Sequence, residues 1–553
     1  MKPNIVLAFA DDWGRYASIY SQYKGSSRSL CENLDTPNFD QIAKEGVLFL
    51  NAIVPAPTCT PCRSSILSGQ YFWQTGLGAI LSGAMWDETI KTFPLELERN
   101  GEYFIGYQYK VWSPGKTQNA PIGGERTRYE PSGRNFNQFS HWVTANSKKL
   151  GVSEAKNILY EETRNNFRYF LDKRPKNKSF FYWWGPTNTH RSWEKGSGKN
   201  LWGFDPDTLK GQLPEFLPDV HDIREDATDY LGEAQAVDYG LGILLEELKL
   251  SGELENTLFV VSGDHGIPGM PRAKCNLYDI GCDVALAACW PGRIKPGRVV
   301  DDFVNLMDLG PTFCEVGGID IPDSMSARSL LPVLLSDKSG QIDDARDFVV
   351  TGRERHMHCA REKFLPYPQR AIRVKNYILI INFEPDRWPM GDPKDLENSP
   401  TKQYDYRTLY YDFTTAPFPD MDASPTKAWM INHREDHDVE PLYHLSFGKR
   451  PREELYDLER DPDYMNNVAL DPSYTNIRKE LEEKLFSILK LNNDPRLTEK
   501  PCRFEHAPYA GPLSKEQMSD PGEMTDIVLF LEGEVVNAHN GFYGKPVARD
   551  KIN

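Results

Sequence analysis

The stretch CTPCRSSILSG, residues 59–69, places two cysteines, a proline and an arginine at the start of a predicted helix. A helix N-terminus presents free N–H groups and the positive end of the helix dipole, and both favour a bound anion. Pro61 is tolerated in the first turn, and Arg63 can offer an anion two parallel hydrogen bonds. The spacing of Cys59 and Cys62 also fits a redox or metal pair, but that interpretation leaves Pro61 and Arg63 unexplained.

Acidic residues follow two apolar runs. Asp11 and Asp12 come directly after NIVLAFA, and Asp264 and His265 come directly after TLFVVSG. Open α/β sheets bind ligands outside the carboxyl ends of their strands, so we expect these four side chains to hold one divalent cation. Carboxylate oxygens suit Ca²⁺ or Mg²⁺, whereas His265 favours Mn²⁺ or Zn²⁺. Taken alone, Asp11-Asp12 fits an ordinary strand-ending turn better than a ligand pair, and Asp264-His265 fits the two equally well.

The elements that would position these residues form an α/β pattern. Residues 4–10, 179–185 and 257–263 are apolar runs typical of buried parallel strands. Residues 36–54 predict a helix followed by a strand, and residues 227–252 have the apolar spacing of a helix that ends at Gly252. We therefore predict an α/β domain over residues 1–345, with a large, mostly parallel central sheet flanked by helices.

The pattern changes after residue 345. Residues 370–383 and 454–462 are strand-like, and residues 477–493 predict one amphipathic helix. We expect a smaller C-terminal α+β domain with an antiparallel sheet over residues 346–500. Residues 501–553, which include the strand-like run DIVLFLEGEVVNA, form an extension whose role the sequence does not indicate.

Composition and charge exclude several classes of protein. A formal net charge of -16 argues against nucleic acid as a partner, because nonspecific binding to phosphate backbones needs a basic face. No apolar run approaches the roughly 20 residues that span a bilayer, and the N-terminus lacks the pattern of a signal peptide. Nine cysteines, an odd number without regular spacing, do not indicate a disulfide framework.

CTPCRSSILSG resembles the signature C-x-P-x-R-x-x-x-L-x-G of the type I, formylglycine-dependent sulfatases. Further similarities occur in the family's order: ADDWG near the N-terminus, FFYWWGPTNTH, SGDHG, residues 272–297, and ELYDLERDPDYMNNVA. The likeness is closest to the sulfamidase, or heparan N-sulfatase, branch. It is carried there by GIPGMPRAKCNLYD (266–279), YPQRAIRVKNYILIINF (367–383) and SPTK, which occurs at both 399–402 and 424–427. The resemblance implies the alkaline-phosphatase-like sulfatase fold.

The resemblance also implies roles for individual residues. Cys59 would be oxidised to formylglycine by a separate formylglycine-generating or anaerobic sulfatase-maturating enzyme, and its hydrated aldehyde would attack sulfur. The implied catalytic residues are Cys59, Arg63, Lys110, His190 and Lys274. The implied ligands of a Ca²⁺ ion, or of Mn²⁺ or another divalent cation, are Asp11, Asp12, Cys59, Asp264 and His265.

Substrate recognition is less clear from the sequence. The family commonly has G-K-x-H before the active site, and residues 106–116 keep Lys110 but have Trp112 in place of the histidine. A tryptophan there would line the pocket and stack on a sugar. The run GRERHMH (352–358) supplies Arg353, Arg355 and His356, which form either a solvated charged surface or a sugar-binding element. We predict the second role for them.

The sequence therefore predicts a metal-dependent sulfohydrolase that removes sulfate from a sulfated carbohydrate, as an O-sulfate ester or an N-sulfoglucosamine-like group. Two alternatives stay open: a phosphonate monoester or phosphodiester hydrolase of the same superfamily, and a catalytically silent sugar-binding homologue. The resemblance implies a periplasmic or secreted protein, although no signal peptide is recognisable. The sugar, the position of its sulfate and the oligomeric state are not legible in the sequence.

Overall fold

The structure is a computed structural model of the 553-residue chain. It describes residues 2–23, 28–84, 86–87, 89–106, 133–394, 396, 403–407, 417–507, 529–531 and 534–537. The strands are β1 (Asn4–Ala10), β2 (Val47–Ile53), β3 (Phe104–Gly106), β4 (Phe180–Trp184), β5 (Thr257–Gly263), β6 (Leu286–Cys289), β7 (Arg298–Asn305), β8 (Phe348–Arg353), β9 (Gln369–Val374), β10 (Tyr377–Asn382), β11 (Glu453–Asp457), β12 (Leu529–Leu531) and β13 (Glu534–Asn537).

The α-helices alternate with these strands in the first part of the chain. They are α1 (Arg28–Cys31), α2 (Pro37–Glu45), α3 (Cys59–Ser68), α4 (Phe93–Asn100), α5 (Phe139–Leu150), α6 (Val152–Lys173), α7 (Ser197–Trp202), α8 (His221–Leu250), α9 (Asp279–Cys282), α10 (Leu309–Val316), α11 (Leu331–Leu334), α12 (Pro425–Asn432), α13 (Glu440–Phe447), α14 (Thr475–Leu491) and α15 (Pro495–Thr498). None of the helices in the described ranges combines the length and apolar character needed to cross a membrane.

A seven-stranded sheet forms the centre of the molecule, with strand order β3-β4-β1-β5-β6-β2-β7. Its strands pair in parallel except at β6, which runs antiparallel to both β5 and β2. Every residue of β1, β4 and β5 is buried, as expected for strands covered by helices on both faces. The predicted α/β class with a mostly parallel sheet is confirmed.

The strands that carry the acidic pairs are neighbours in this sheet. β1 pairs with β5 in parallel, and Ala10 lies opposite Gly263. The two residues that follow, Asp11 and Asp264, therefore leave the sheet side by side. The largely buried helix α8 precedes β5 in the chain and packs against α2, α6 and α7, so the predicted helix-then-strand unit is present.

A second sheet of four antiparallel strands, in the order β11-β10-β9-β8, lies within the range predicted for the smaller domain. Leu481 and Leu485 of α14 share a buried apolar cluster with Ile372 and Leu379 of this sheet. The run 370–383, predicted as one strand-like piece, forms the hairpin of β9 and β10, because Lys375 and Asn376 make a turn between them. The domain boundaries at residues 345 and 500 stay predictions.

The C-terminal extension contains one short hairpin among its described residues. β12 and β13 pair in an antiparallel two-stranded sheet, within the run where the sequence predicts strands.

Candidate active site

The acidic pairs meet at the carboxyl ends of β1 and β5. Asp11, Asp12, Asp264 and His265 are all 0% exposed. The backbone N–H of Asp12 donates to Oδ1 of Asp264 at 2.7 Å, and Nε2 of His265 lies 3.2 Å from Oδ1 of Asp12. Asp12 has a φ of 56°, in the left-handed region that non-glycine residues rarely adopt. This conformation turns the chain sharply at the end of β1.

Cys59 is the first residue of α3 and faces this acidic cluster. Thr58 before it is extended, so the helix starts at Cys59 itself. The Sγ atom of Cys59 lies 3.4 Å from Nε2 of His265 and 3.9 Å from Oδ1 of Asp12. The thiol is almost fully buried. Cys59 and the strand-end residues therefore lie together in the structure, and their catalytic and metal-binding roles stay predictions.

Arg63 lies one helical turn after Cys59 and binds two carboxylates. Its Nε donates to Oδ2 of Asp264 at 2.8 Å, and its Nη2 donates to Oδ1 of Asp11 at 2.9 Å. Burial disfavours the charged guanidinium, but Asp264 and Asp11 outweigh that cost and raise the pKa of Arg63. Arg63 thus joins α3 to both acidic strand ends.

Lys274 and His190 also lie next to Asp12 in the acidic cluster. Nζ of Lys274 donates to Oδ2 of Asp12 at 2.9 Å and lies 3.4 Å from Nε2 of His190. The other ring nitrogen of His190, Nδ1, lies 2.6 Å from the carbonyl oxygen of Arg191. Because a carbonyl can only accept, Nδ1 carries the hydrogen of this bond and Nε2 is the nitrogen that faces the site.

The sequence analysis missed one acidic residue of the site, Asp422. Its Oδ2 lies 3.3 Å from Nζ of Lys274, and its side chain is 23% exposed. Burial opposes its charge, but Lys274 above all holds the pKa of Asp422 below its ordinary value. Asp422 is therefore a fixed negative charge at the edge of the cluster.

The motif SPTK (424–427) holds the segment that carries Asp422. Nζ of Lys427 donates to the carbonyl oxygens of Phe418 and Met421 at 3.0 and 2.8 Å. The side chain of Ser424 caps α12 by accepting from the backbone N–H of Lys427. SPTK was the sequence feature that could have drawn attention to this segment. The motif alone does not show whether Asp420 or Asp422 lies beside Lys274.

Within the part of the chain that the structure describes, two sets of side chains could hold a metal ion. Asp12, Cys59, Asp264 and His265 form one set, and Asp11, Asp12, Cys59 and His190 form the other; within each set the candidate ligand atoms lie within 4.8 Å of one another. Three carboxylates buried this closely repel one another unless positive charge compensates them. Arg63 and Lys274 supply part of that charge, and the donor set fits a divalent cation that accepts oxygen ligands.

The remaining predicted site residues lie in different surroundings. Arg353 is wholly buried and donates to Asp420 and to the carbonyl oxygen of Cys275. Arg355 is also buried, and its Nη1 donates to the carbonyl oxygen of Ala507 at 2.7 Å. Both guanidinium groups thus bind protein groups, and their predicted role in substrate binding stays a prediction.

His356 lies against the residue that precedes α3. Its Nδ1 lies 2.6 Å from Oγ1 of Thr58, the residue before Cys59. Burial lowers the pKa of His356 to about 3, so its imidazole is neutral at pH 7. Lys110 and Trp112, the other predicted catalytic and sugar-stacking residues, lie outside the described residues.

An ion pair below the site connects its loops. Arg191, which follows His190, donates to Asp226 of α8 from Nη1 at 2.7 Å and from Nη2 at 2.9 Å. Its Nε donates to the carbonyl oxygen of Pro268, in the loop that leads to Lys274. Oγ1 of Thr426 also donates to Asp226, at 2.6 Å. Asp226 thus joins the segments that carry His190 and Asp422, and Arg191 extends the link to the loop that leads to Lys274.

A cavity of about 330 Å³ adjoins these loops. Its walls include Arg191 and Trp193 from the segment after His190, and Ala423 from the segment after Asp422. Tyr406 and Arg407 line it as well.

Comparison with known protein families gives two matches. A family model described as Sulfatase matches residues 3–319, the part of the chain that contains the central sheet and the acidic cluster. A second model, described as N-sulphoglucosamine sulphohydrolase, C-terminal, matches residues 272–416.

Curated relatives match over most of their length. An ulvan-active sulfatase of Formosa agariphila is 26% identical over 498 residues, which cover 89% of this chain and 81% of the relative. The human N-sulphoglucosamine sulphohydrolase is 26% identical over 518 residues, which cover 89% of this chain and 91% of the relative.

Solved structures share the fold at lower identity. A protein in complex with its substrate D-glucosamine-2-N,6-O-disulfate superposes with a TM-score of 0.58 at 19% identity, covering 90% of this chain and 100% of the other. A phosphonate monoester hydrolase of Agrobacterium radiobacter superposes with a TM-score of 0.57 at 17% identity, covering 89% and 96%. At these identities the likeness shows the fold alone.

Proposed function

Because the chain belongs to the sulfatase family and is a sulfuric ester hydrolase, we propose that it removes sulfate from a sulfated saccharide. The fold is the alkaline-phosphatase-like fold of that family, as the sequence predicts. The family uses a divalent metal ion and a formylglycine made from cysteine. In this chain Cys59 is the residue that matches the modified position.

The observation that carries the proposal is the position of Cys59 between negative and positive groups. Its Sγ faces Asp12 and His265 of the candidate metal site. The second carboxylate oxygen of Asp12, Oδ2, accepts a hydrogen bond from Lys274, and His190 lies next to Lys274. A sulfate that reaches Cys59 would therefore lie close to the cations that its charge requires.

In this proposal the modified Cys59 supplies a hydrated aldehyde as nucleophile, and the divalent cation supplies positive charge beside it. Lys274 binds a sulfate oxygen through Nζ and complements the charge that builds up on the sulfuryl group. Arg63 orients the carboxylates of Asp11 and Asp264. Its guanidinium also supplies positive charge one helical turn from Cys59.

His190 is the proposed general acid. Its Nδ1 hydrogen is held by the carbonyl oxygen of Arg191, so the proton that moves is the one on Nε2. A histidine protonated at Nε2 would donate to the leaving oxygen or nitrogen of the sugar. Lys274 Nζ lies 3.4 Å from that nitrogen and can donate to it only while Nε2 is unprotonated. When Nε2 carries a proton, the nearby carboxylate of Asp12, at 3.9 Å, is the group that stabilises the charge.

Three buried carboxylates favour Ca²⁺ as the cation, and we propose Ca²⁺ with Asp11, Asp12, Asp264 and His265 as ligands beside residue 59. The imidazole of His265 leaves Mn²⁺ as the competing ion. Removal of metal with EDTA, followed by addition of either ion, tests this choice. Ca²⁺ is expected to restore both the thermal midpoint and the activity, and a larger recovery of both with Mn²⁺ would contradict it.

The saccharide class is supported by the names of the relatives. One is described as active on ulvan and another as an N-sulphoglucosamine sulphohydrolase, and both cover most of this chain. Both an O-sulfate ester and an N-sulfate are compatible with a general acid that protonates either oxygen or nitrogen.

A panel of defined sulfated mono- and disaccharides tests the proposal, with released sulfate measured by ion chromatography after coexpression with a maturating enzyme. A phosphodiester and a phosphonate monoester belong in the same panel. We expect release of sulfate from at least one saccharide. A much higher kcat/KM for the phosphorus esters would favour the alternative hydrolase, and intact protein mass would show whether Cys59 is modified.

A further inference from the structure

A serine, a histidine and a glutamate form a hydrogen-bonded chain outside the acidic cluster. Oγ of Ser192 lies 3.1 Å from Nε2 of His141, and Nδ1 of His141 lies 3.1 Å from Oε2 of Glu194. The side chains of His141 and Glu194 are 34% and 41% exposed, and Ser192 is half-buried. All three line the cavity of about 330 Å³, so a molecule that enters the cavity can reach them.

The direction of each hydrogen bond in this chain follows from the chemistry of its groups. An ionised carboxylate only accepts hydrogen bonds, so Nδ1 of His141 carries the hydrogen that Glu194 accepts. The other nitrogen of a neutral imidazole, Nε2, is then an acceptor, and the hydroxyl of Ser192 donates to it. A serine that donates to a histidine, which is held in turn by a carboxylate, is the arrangement that activates a serine as a nucleophile.

The segment that carries Ser192 and Glu194 is fixed on both sides. The backbone N–H of Glu194 donates to Oγ of Ser140 at 3.0 Å, which ties the segment to α5. Before Ser192, Arg191 is anchored by its two hydrogen bonds to Asp226. The nucleophile, the base and the carboxylate are therefore positioned before any substrate binds, as catalysis by oriented groups requires.

A hydrogen-bond donor for a developing oxyanion follows the serine directly. The backbone N–H of Trp193 has no hydrogen-bond partner among the residues that the structure describes, while its indole Nε1 donates to the carbonyl oxygen of His190 at 3.1 Å. In α/β-hydrolases the N–H of the residue after the nucleophile is one of the donors to the oxyanion. Trp193 holds the same place in the chain relative to Ser192.

The cavity itself suits a small, uncharged molecule. Its lining includes Trp193, Tyr406, Ala423 and Pro425, and its volume lies within the range of about 300–1,000 Å³ that is usual for small-molecule sites. Among the described residues, its lining includes no member of the acidic cluster, so it is separate from the site at Cys59. Apolar walls beside an activated serine favour an ester with a short acyl chain.

We propose that Ser192, His141 and Glu194 form a second hydrolytic site, which cleaves esters of short carboxylic acids. Oγ of Ser192 attacks the carbonyl carbon of the ester while its proton passes to Nε2 of His141. When the tetrahedral intermediate collapses, the bond from the acyl carbon to the alcohol oxygen breaks, and the alcohol leaves with that proton. Water then attacks the acyl-serine in the same way, which releases the carboxylic acid and restores the hydroxyl of Ser192. This activity goes beyond the proposed release of sulfate and does not depend on it.

Hydrolysis of p-nitrophenyl acetate, followed by the absorbance of the released p-nitrophenolate, tests the site. Ser192→Ala and His141→Gln should each lower kcat/KM roughly hundredfold, because one removes the nucleophile and the other its base. Glu194→Gln should lower kcat at least about tenfold, since the imidazolium loses its counter-charge. A Ser192→Ala rate equal to that of the wild type would overturn the proposal, and so would a wild-type rate no higher than that of free imidazole at the same concentration.

Two controls separate this site from other sources of ester hydrolysis. His433→Gln removes an exposed histidine that also lies beside a carboxylate, 2.7 Å from Asp436, and it should match the wild type. Protein expressed with and without the maturating enzyme should hydrolyse the ester equally, because Cys59 takes no part. A rate that appears only after maturation would assign the hydrolysis to the sulfate site and contradict the proposal. A loss in His433→Gln as large as that in His141→Gln would contradict it as well.

A covalent probe identifies the nucleophile in the wild-type protein, where no substitution can disturb folding. A fluorophosphonate reacts with an activated serine by forming an Oγ–P bond and releasing fluoride, and mass spectrometry of the peptides locates the label. We expect the label on Ser192 of the wild type and its loss in His141→Gln protein. A label on a different serine, or no label on the chain, would overturn the assignment.

Discussion

Arg191 and Asp226 form a buried, two-pronged ion pair below the site, with N–O distances of 2.7 and 2.9 Å. Arg191 follows the proposed general acid His190, and Thr426 donates to the same carboxylate from the segment after Asp422. The pair therefore connects two segments that bring residues to the reaction centre. Its loss should disturb both stability and catalysis.

We predict that Asp226→Asn lowers the free energy of unfolding by about 3 kcal/mol, because it leaves the buried guanidinium of Arg191 without its counter-charge. The loop would then hold His190 less accurately, so kcat should fall roughly tenfold. Thr426→Val removes one hydrogen bond and should cost only about 1 kcal/mol. Denaturant unfolding and steady-state kinetics on the same preparations check both variants.

Glu161→Gln is the control for that experiment. Glu161 lies 2.9 Å from Arg164 on the surface of α6, and its side chain is 55% exposed. Exposed pairs contribute on the order of 0.5 kcal/mol, so this variant should match the wild type. If Asp226→Asn lowered the free energy of unfolding no more than Glu161→Gln does, the proposed role of the buried pair would be contradicted.

The two cysteines at the start of α3 should respond differently to substitution. Cys59→Ala is expected to reduce sulfate release to background, because the precursor of the nucleophile is gone. Cys62→Ser should keep kcat largely intact, since Cys62 belongs to the apolar core and is fully buried. The buried hydroxyl should still cost about 1–3 kcal/mol of stability.

Thermal unfolding together with kinetics separates these effects. A Cys62→Ser protein that unfolds earlier but turns over normally fits the assignment. If Cys62→Ser were as inactive as Cys59→Ala while remaining folded, the two-cysteine interpretation of CTPCRSSILSG would have to be restored.

The sequence predicted those parts of the site that depend on local patterns. The ends of β1 and β5 could be located because each is a short buried run followed at once by acidic residues, and parallel neighbours in register bring those ends together. The start of α3 was likewise marked by Pro61 in the first turn. These features need no knowledge of distant contacts.

Long-range pairing is what the sequence did not reveal. Asp422 reaches Lys274 from a polar segment without helical or strand periodicity, so nothing local predicts the contact. Arg353 and Arg355 were predicted to belong to a sugar-binding element rather than to a solvated charged surface, and that role stays a prediction. The structure pairs Arg353 with the buried Asp420, and a sequence cannot show which carboxylate will meet an arginine inside the fold.

Asp422→Asn should make inorganic sulfate a stronger inhibitor. The substitution removes a negative charge next to Lys274 without changing the size of the side chain, so an anion near Lys274 meets less repulsion. We expect the inhibition constant of sulfate to fall roughly fivefold, equivalent to about 1 kcal/mol in a screened site. Competition assays against a sulfated saccharide measure this constant.

Asp323→Asn provides the control for charge alone. Asp323 is exposed and precedes Met325 in the loop after α10, so its loss changes the net charge equally without touching the site. An unchanged or weaker sulfate inhibition in Asp422→Asn would contradict the position given to Asp422, because the removed charge would then not face the anion.

Asp229 should make the protein less stable as pH rises. Burial raises its pKa to about 8, although the N–H groups of Gly198 and Gly196 oppose the shift and Asp226 and Glu225 add to it. In the unfolded chain an aspartate has a pKa of about 4. Between these values the folded state holds a proton that the unfolded chain has released, so the free energy of unfolding decreases with rising pH.

Asp229→Asn removes this titration, and we expect the thermal midpoint of the variant to vary less between pH 6 and pH 8 than that of the wild type, by on the order of 2 °C. Glu233, whose pKa burial raises to about 7, keeps titrating in both proteins, so some pH dependence remains. Scanning calorimetry at several pH values, with Glu161→Gln as control, gives the comparison. A variant with the same pH slope as the wild type would mean that Asp229 is ionised in the folded protein at neutral pH, with its charge held by the two glycine N–H groups.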